Sequence, residues 1–204
     1  MLIGKYNKSV IVTYLGVITA ILGVYFAFGA QMKFAFVCLI VSGVCDLFDG
    51  MVARKIKRTD EEKLFGIEID SLADMVNFIM LPLVIAFALG LNTWYHLFIY
   101  CLYTLAAITR LGYFNIGASE NNMEVPVSYY SGLPVTYAAL ILPLVWLVSF
   151  VVASSIFQII YSVAMLLIAL LFVLNIKISK PRGLMYVLLA LLAIIVSTII
   201  IIFG

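Results

Sequence analysis

Residues 33–53 read KFAFVCLIVSGVCDLFDGMVA, an apolar run whose last eight residues include two carboxylates and a glycine. A helix that crosses a membrane needs roughly 20 predominantly apolar residues, and this run has that length. Similar runs lie at about residues 9–28, 71–90, 94–114, 133–152, 155–175 and 183–203. The pattern predicts an all-α fold, a polytopic membrane helix bundle of about seven (six to eight) transmembrane helices.

The composition of the chain favours the same class. Of the 204 residues, 66% are hydrophobic and 11% are charged, and the mean hydropathy is +1.22. A soluble domain is about half apolar and about a quarter charged, so soluble, disordered and collagen-like chains are excluded. A net charge of +2 gives no reason to expect a nucleic acid partner. We expect a single integral membrane domain over residues 1–204, with polar loops at 54–69, 115–132 and 176–182.

The basic residues predict the orientation of the helices in the membrane. Cytoplasmic loops of membrane proteins carry an excess of Lys and Arg. If the N-terminus is cytoplasmic, all of the 12 Lys and Arg residues except Lys33 fall on the cytoplasmic side. We therefore expect a multi-pass protein of the cell (inner) membrane with its N-terminus in the cytoplasm.

Four acidic residues lie at the ends of the second and third apolar runs, namely Asp46, Asp49, Asp70 and Asp74. A carboxylate inside a membrane costs roughly 2.5–3.5 kcal/mol on insertion scales, so these four need compensation. Spacings of three and four residues place each pair on one helix face. Both pairs lie near the cytoplasmic ends of consecutive antiparallel helices. We expect all four carboxylates to converge on one point at the cytoplasmic face.

Converging carboxylates repel one another unless cations neutralise them. Oxygen ligands without His or Cys favour Mg²⁺, Mn²⁺ or Ca²⁺. The single histidine, His96, is expected at the opposite side of the membrane. The alternative is that the aspartates are ordinary helix-end charges that pair with basic residues of the loop. We keep that interpretation for the loop residues Asp60, Glu61, Glu62 and Glu68.

The neighbours of the aspartates suit a phosphate ligand. Gly50 and Gly66 leave room for a ligand to approach the backbone. Ala53 is small, and the planar guanidinium of Arg54 matches a phosphate group. Carboxylates, small residues and one arginine together predict a metal-bridged phosphate site, in which one carboxylate acts as a base.

This motif resembles the signature of the CDP-alcohol phosphatidyltransferase family. It runs Asp46-x2-Asp49-Gly50-x2-Ala53-Arg54 and, after residues 55–65, Gly66-x3-Asp70-x3-Asp74, with a longer central gap than is usual in the family. The resemblance implies transfer of a phosphatidyl group from a CDP-linked lipid to an alcohol, with release of CMP. It also implies two divalent ions, Mg²⁺ or Mn²⁺, held by the four aspartates, with Asp74 as the general base. Gly50, Ala53, Arg54 and Gly66 would line the CDP pocket.

Two further segments indicate the acceptor alcohol. Residues 110–116, RLGYFNI, and 131–134, SGLP, resemble segments of the phosphatidylserine synthase branch, which usually has a proline where Thr136 stands here. The resemblance implies CDP-diacylglycerol and L-serine as substrates, and a homodimer. Arg110 would bind the serine carboxylate, and Asn115 would contact the acceptor. Alternatively, Arg110 extends to lipid headgroups or pairs with a site aspartate.

Two other functions share part of this pattern. A sibling enzyme with glycerol 3-phosphate or an inositol phosphate as acceptor would use the same aspartates. A divalent-cation transporter would also carry acidic residues inside the membrane. The transporter predicts carboxylates spread through the membrane depth, whereas these four cluster at one face.

Overall fold

The structure, a computed structural model, describes residues 3–120, 129–179 and 183–204, without the side chains of Arg54, Lys55 and residues 117–120. The helices are α1 (Lys8–Phe28), α2 (Met32–Lys55), α3 (Asp60–Asp74), α4 (Leu81–Ala88), α5 (Trp94–Glu120), α6 (Ala138–Leu147), α7 (Ser154–Val173) and α8 (Leu184–Phe203). A π-helical turn (Met75–Met80) joins α3 to α4, and 3₁₀ turns (Val135–Tyr137 and Val148–Phe150) flank α6. Strand β1 (Tyr129–Ser131) pairs with strand β2 (Lys177–Ser179) in antiparallel register.

The predicted all-α polytopic bundle is confirmed. Within the described ranges, six segments are long and apolar enough to cross a membrane: Lys8–Phe28, Met32–Ala53, Asp60–Ala88, Trp94–Ile116, Ser154–Val173 and Leu184–Phe203. The predicted span 133–152 is a shorter apolar segment, Val135–Phe150. Pro134 precedes this segment and Pro143 lies inside it. A proline has no N–H to donate, so Pro134 fits before the first helical turn, and Pro143 leaves the Ala139 carbonyl without its usual N–H partner.

The prediction that residues 54–69 form a loop is wrong for most of that range, because α3 already begins at Asp60. Thr59 caps the helix: its hydroxyl accepts from the Glu62 N–H at 3.2 Å, and the Glu62 carboxylate accepts from the Thr59 N–H at 2.8 Å. This reciprocal pair is a capping box. Asp60, Glu61 and Glu62 therefore occupy a helical first turn, where the helix dipole favours negative charge.

The other two predicted loops also contain regular structure. Helix α5 continues through Glu120, well into the predicted loop 115–132. Strand β1 in that loop and strand β2 in the loop 176–182 bind each other, with Tyr130 opposite Ile178. The N–H of Gly132 donates to the Ile176 carbonyl at 2.9 Å and extends this contact. The pairing ties the segment before α6 to the segment before α8.

Helix α1 packs on α2 through small side chains. A Cβ atom on Gly16 would lie 3.3 Å from the Cβ of Cys45, and one on Gly23 would lie 3.0 Å from the Cβ of Cys38. Membrane helices associate through such close contacts, because lipid tails are as apolar as the side chains they would replace. The buried face of α1 includes Thr13, Gly16, Ala20, Gly23 and Ala27. The contact places the first half of α1 beside the carboxylate-bearing end of α2.

Gly43 lets α2 approach α6. A Cβ atom on Gly43 would lie 2.7 Å from the Cβ of Ala139, closer than real Cβ atoms come. Asp46 lies three residues after Gly43, and Thr136 lies three residues before Ala139. On helical segments this spacing keeps each pair on one face. The helix contact therefore also brings Asp46 and Thr136 together.

The π-helical turn has a cause in the sequence. Pro82 has no N–H, and its ring disfavours a regular helical carbonyl four residues earlier, at Phe78. The Phe78 carbonyl instead accepts a hydrogen bond from the buried hydroxyl of Tyr103, on α5, at 2.8 Å. The Leu81 N–H reaches back to the Val76 carbonyl, five residues earlier. The extra residue in this turn changes which way α3 faces relative to α4.

The apolar core contains buried side chains from α1, α2, the π-helical turn and α4 to α8. In it, Phe36 and Trp146 stack with ring centroids 4.7 Å apart, and Phe78 is fully buried. Helix α8 is different, because only 17% of its most apolar window is buried. An apolar helix that keeps most of its surface exposed indicates contact with lipid.

Replacing Gly43 with Ala is expected to destabilise the bundle by about 1–3 kcal/mol, because the added methyl group overpacks the α2–α6 contact. Ala139 cannot rotate its Cβ away, so a helix must shift. The free energy of unfolding in mild detergent measures the effect. The matched control is Gly112→Ala on α5, whose new Cβ would meet nothing within 4 Å. That change should preserve stability or raise it by about 0.5–1 kcal/mol. Equal stability of the two variants would contradict the close helix contact.

Candidate active site

Three carboxylates meet where α2 and α3 lie side by side. Asp46 and Asp49 on α2 and Asp70 on α3 each offer one oxygen, and these oxygens lie within 4.8 Å of one another. Asp49 is buried, and the other two are half-buried. Oxygen ligands lie about 2.0–2.6 Å from Mg²⁺ or Ca²⁺, so oxygens on opposite sides of one ion are at most about 5 Å apart. The three side chains are spaced as ligands of a single cation would be.

Asp74 lies beside these three aspartates, but its oxygens are not within 4.8 Å of all three. Its side chain is buried and contacts that of Asp46. Its Oδ1 atom has no hydrogen-bond partner among the described atoms. A buried carboxylate oxygen without a partner is costly, so it needs a cation or a proton donor from a ligand.

Two threonines that the sequence analysis did not single out as site residues hold the aspartates of α2. The Thr13 hydroxyl on α1 donates to Asp49 Oδ2 at 2.7 Å. The Thr136 hydroxyl, in the 3₁₀ turn before α6, donates to Asp46 Oδ2 at 2.8 Å. An indication was available in the sequence for only one of them: the branch that the sequence resembles usually has a proline at position 136.

The donor set fits a divalent cation. Its members are carboxylate oxygens, which hard cations prefer. The ion pairs among the described side chains join Lys5 to Glu61 and Lys63 to Asp60. The predicted pairing with a basic residue of segment 54–69 thus describes Asp60, whereas Glu61 pairs with Lys5 of the N-terminal segment. Such pairing does not describe the four aspartates within the described part of the chain.

The predicted nucleotide-pocket residues lie near the aspartates along α2 and α3. A Cβ atom on Gly50 would meet nothing within 4 Å, so the space beside it is open. Ala53 and Gly66 are half-buried. The side chain of Arg54 lies outside the described residues, although its backbone belongs to α2.

A cavity of about 160 Å³, partly open to the surroundings, adjoins Asp46. Its walls come from α2, α6 and α8, and they are mostly apolar. Gly50, Tyr130, Thr136 and Tyr186 lie near its polar end, and Ile40 and Leu189 belong to its apolar walls. The cavity combines one charged end with walls that suit hydrocarbon.

Arg110 is buried near the aspartates. Its guanidinium carbon lies 5.3 Å from the Phe114 ring centroid and 6.0 Å from that of Tyr130. It interacts electrostatically with Asp74, Asp46 and Asp70. Its Nε atom has no hydrogen-bond partner among the described atoms. A side chain in this position does not extend to lipid headgroups.

Asn115 lies one turn beyond Arg110 on α5 and faces α3. Its Oδ1 accepts a hydrogen bond from the Ser71 hydroxyl at 2.8 Å. Ser71 directly follows Asp70, so this bond links α5 to the aspartate-bearing helix. The structure therefore brings Arg110 and Asn115 to the same end of the bundle as the aspartates.

His96 lies at the other end of α5. It is buried in the first turn, and its Nδ1 atom is 2.7 Å from the Thr93 hydroxyl oxygen. At 1.5 Å per residue, its position on the helix is about 21 Å from that of Arg110. It is too distant to contribute a ligand to the carboxylate group.

Comparison with known sequences assigns the family. The family model of the CDP-alcohol phosphatidyltransferases matches residues 7–202. The chain belongs to that family. The match includes all the aspartates described above and the segments around Arg110 and Thr136.

Several curated relatives carry the same kind of name. A CDP-diacylglycerol–serine O-phosphatidyltransferase of Saccharomyces cerevisiae is 37% identical over 53% of this chain and 40% of its own length. One of Bacillus subtilis is 33% identical over 48% of this chain and 51% of its own length. An archaetidylserine synthase of Methanothermobacter thermautotrophicus is 27% identical over 72% of this chain and 61% of its own length. The chain thus spans about half the length of the curated relatives it matches.

A divalent ion is expected to stabilise the protein, because it neutralises the repulsion among the aspartates. Mn²⁺ at one hundred times its dissociation constant should add about 2.7 kcal/mol, and EDTA should remove that gain. Asp70→Asn should lose most of the Mn²⁺ effect yet unfold at a higher temperature than the wild type in EDTA. Thermal unfolding in detergent with each additive measures both effects.

The control is Glu68→Gln, which removes an exposed charge from the same helix. It should behave like the wild type in both conditions. A wild-type unfolding temperature that does not respond to Mn²⁺ would contradict a cation site at these carboxylates.

Proposed function

We propose that this protein transfers the phosphatidyl group of CDP-diacylglycerol to the hydroxyl of L-serine, giving phosphatidylserine and CMP. The observation that carries the proposal is the group of three carboxylate oxygens within 4.8 Å of one another, beside a cavity with apolar walls. Family membership supports the reaction class. The names of the curated relatives support serine as the acceptor.

The aspartates would hold the ions and take the proton. Asp46, Asp49 and Asp70 would bind one divalent ion, Mg²⁺ or Mn²⁺, and Asp74 would complete a second site. Such ions, when bound, neutralise charge on the diphosphate and polarise its phosphorus–oxygen bonds. Asp74 is the general base in this proposal, because it is buried beside Asp46 and one of its oxygens has no partner.

The reaction exchanges one phosphorus–oxygen bond for another. The serine hydroxyl oxygen bonds to the phosphorus that carries diacylglycerol, while the bond from that phosphorus to the CMP oxygen breaks. Asp74 takes the hydroxyl proton, a contribution of typically 10²–10⁴-fold to the rate. The aspartates position the reacting groups and thereby lower the entropic barrier.

Other residues would bind the CDP moiety and the lipid chains of the donor. Gly50, Ala53, Arg54 and Gly66 would line the CDP moiety, and the open space at Gly50 supports this placement. The apolar walls of the cavity beside Asp46 suit the diacylglycerol chains. The donor would thus lie with its diphosphate at the aspartates and its tails toward lipid.

Arg110 would bind the serine carboxylate. The Nε of this buried guanidinium has no hydrogen-bond partner among the described atoms, and a carboxylate matches the planar geometry of a guanidinium. Asn115, fixed by its bond to Ser71, would lie next to the acceptor. The stacking of Arg110 near Phe114 and Tyr130 would keep the guanidinium oriented.

The proposed setting follows from the charge distribution. The site faces the cytoplasm together with the N-terminus, because the Lys and Arg residues gather at that end of the helices. Residues 1–204 would form one catalytic domain. The homodimer remains an implication of the family resemblance.

Purified protein with CDP-diacylglycerol and Mn²⁺ is expected to release CMP when L-serine is added. Glycerol 3-phosphate and an inositol phosphate, offered separately, should give no release above background, because neither carries the carboxylate that Arg110 would recognise. Chromatographic quantification of CMP and of the lipid product measures the reaction.

The control for this experiment is Asp74→Asn, which keeps the side-chain volume and removes the base. It should reduce serine-dependent release by about 10²–10⁴-fold. Release with another acceptor alone would place the protein in a sibling activity. Uptake of Mn²⁺ into sealed vesicles, without any CMP release, would favour the cation transporter.

Arg110→Lys is expected to raise the KM for serine by about 10–100-fold, because the ammonium keeps the charge but loses the planar pair of donors. The KM for CDP-diacylglycerol should stay near that of the wild type. Steady-state CMP release with each substrate varied in turn separates the two constants. Lys177→Gln, a change to an exposed cation in β2, is the control. Equal changes in both constants would contradict a carboxylate-binding role.

A further inference from the structure

We propose that Thr13 and Thr136 are positioning residues that set the affinity of the aspartates for a divalent ion. Each threonine hydroxyl binds one oxygen of one aspartate and so fixes the rotation of that carboxylate. The inference deepens the proposed function and rests on its metal site. It concerns two residues that are not ligands of the ion in that proposal; of the two, Thr136 also lines the cavity proposed for the donor.

The hydrogen bond of Thr13 departs from what a helical threonine ordinarily does. A threonine inside a helix can donate to the carbonyl four residues earlier. Thr19, Thr109 and Thr198 do so, each at 2.8 Å. The Thr13 hydroxyl lies 3.4 Å from the corresponding Ser9 carbonyl but 2.7 Å from Asp49 Oδ2. Its proton is therefore committed to the aspartate on the neighbouring helix.

Thr136 holds Asp46 from the opposite side of α2. The 3₁₀ turn that carries it is fixed by Pro134 before it, by the Tyr137 N–H donating to the Pro134 carbonyl at 3.1 Å, and by the fully buried Val135. Its hydroxyl donates to Asp46 Oδ2 at 2.8 Å. The two threonines thus approach α2 from α1 and from the α6 segment.

These bonds come from residues distant in sequence, and helix packing sets their length. The contact of Gly16 with Cys45 places Thr13, one turn earlier on α1, next to Asp49, one turn later on α2. The contact of Gly43 with Ala139 does the same for Thr136. A carboxylate held at one oxygen keeps the other free in a fixed direction.

Partners of this kind orient metal ligands and raise their affinity. Removing such a hydrogen bond typically weakens metal binding by 10–100-fold. When a bound cation keeps the carboxylates ionised, these bonds are charge-assisted, and such hydrogen bonds are stronger than neutral ones. Two independent threonines, each on a different aspartate, should therefore act separately.

The experiment measures Mn²⁺ binding to purified protein by electron paramagnetic resonance, without lipid substrate. Thr136→Val and Thr13→Val keep the side-chain shape and remove the hydroxyl. Each is expected to raise the dissociation constant of Mn²⁺ by 10–100-fold. Thr136→Ser keeps the hydroxyl and should keep wild-type affinity. Thr19→Val, on the same helix as Thr13, is the matched control and should change nothing.

A second measurement separates positioning from structural damage. All variants should stay folded in EDTA and unfold in a single cooperative transition. CMP release by Thr13→Val should return to the wild-type rate at saturating Mn²⁺, because Asp49 itself is intact. A persistent loss at saturation would show that the threonine does more than orient the ligand and would overturn the inference.

The remaining outcomes distinguish this inference from the proposed function. Wild-type Mn²⁺ affinity in both valine variants would overturn the inference and leave the proposed function standing. Equal losses in Thr136→Val and Thr136→Ser would also overturn it, because packing would then be the cause. A wild-type protein that binds no Mn²⁺ would overturn the metal site of the proposed function, and this inference with it.

Discussion

Repulsion among carboxylates in a largely apolar bundle is the constraint on which the rest of the structure depends. Two unit charges 4.8 Å apart repel by about 3 kcal/mol at an effective dielectric constant of 20. Asp46, Asp49 and Asp70 form three such pairs, and Asp74 lies beside them. Nothing local to one helix offsets this cost. Cations, hydroxyl donors and the nearby guanidinium of Arg110 must come from elsewhere in the fold, so the site requires the bundle to be assembled.

Small residues make that assembly close enough. Gly16 lets α1 approach α2 on one side, and Gly43 lets α6 approach on the other. A hydroxyl on a short threonine side chain can reach a carboxylate on another helix only if the two backbones nearly touch. The glycines outside the motif therefore help to position the aspartates inside it. The distance between the helices determines the geometry of the carboxylates as directly as the aspartates themselves do.

The sequence could predict those parts of the fold that depend on the spacing of residues close together in the chain. Apolar runs of spanning length and aspartates three or four residues apart need no tertiary information. The start of α3 at Asp60 was also readable, because Thr59 and Glu62 form a capping-box pattern. The bonds from Thr13 to Asp49 and from Thr136 to Asp46 were not, since 36 and 90 residues separate the partners. The β1–β2 pairing likewise depends on which loops the bundle brings together.

Pro82 shows how a local rule acts on a distant site. The proline frees the Phe78 carbonyl, Tyr103 on α5 satisfies it, and the chain between α3 and α4 takes one extra residue into its turn. Each residue of an α-helix adds a rotation of about 100° around the helix axis. One inserted residue therefore rotates α3 relative to α4 by about that angle. Asp74 can face the site while Leu81, just after the turn, is fully buried in the core. A regular helix could not both bury Leu81 in the core and direct Asp74 toward the site. The π-helical turn allows both orientations.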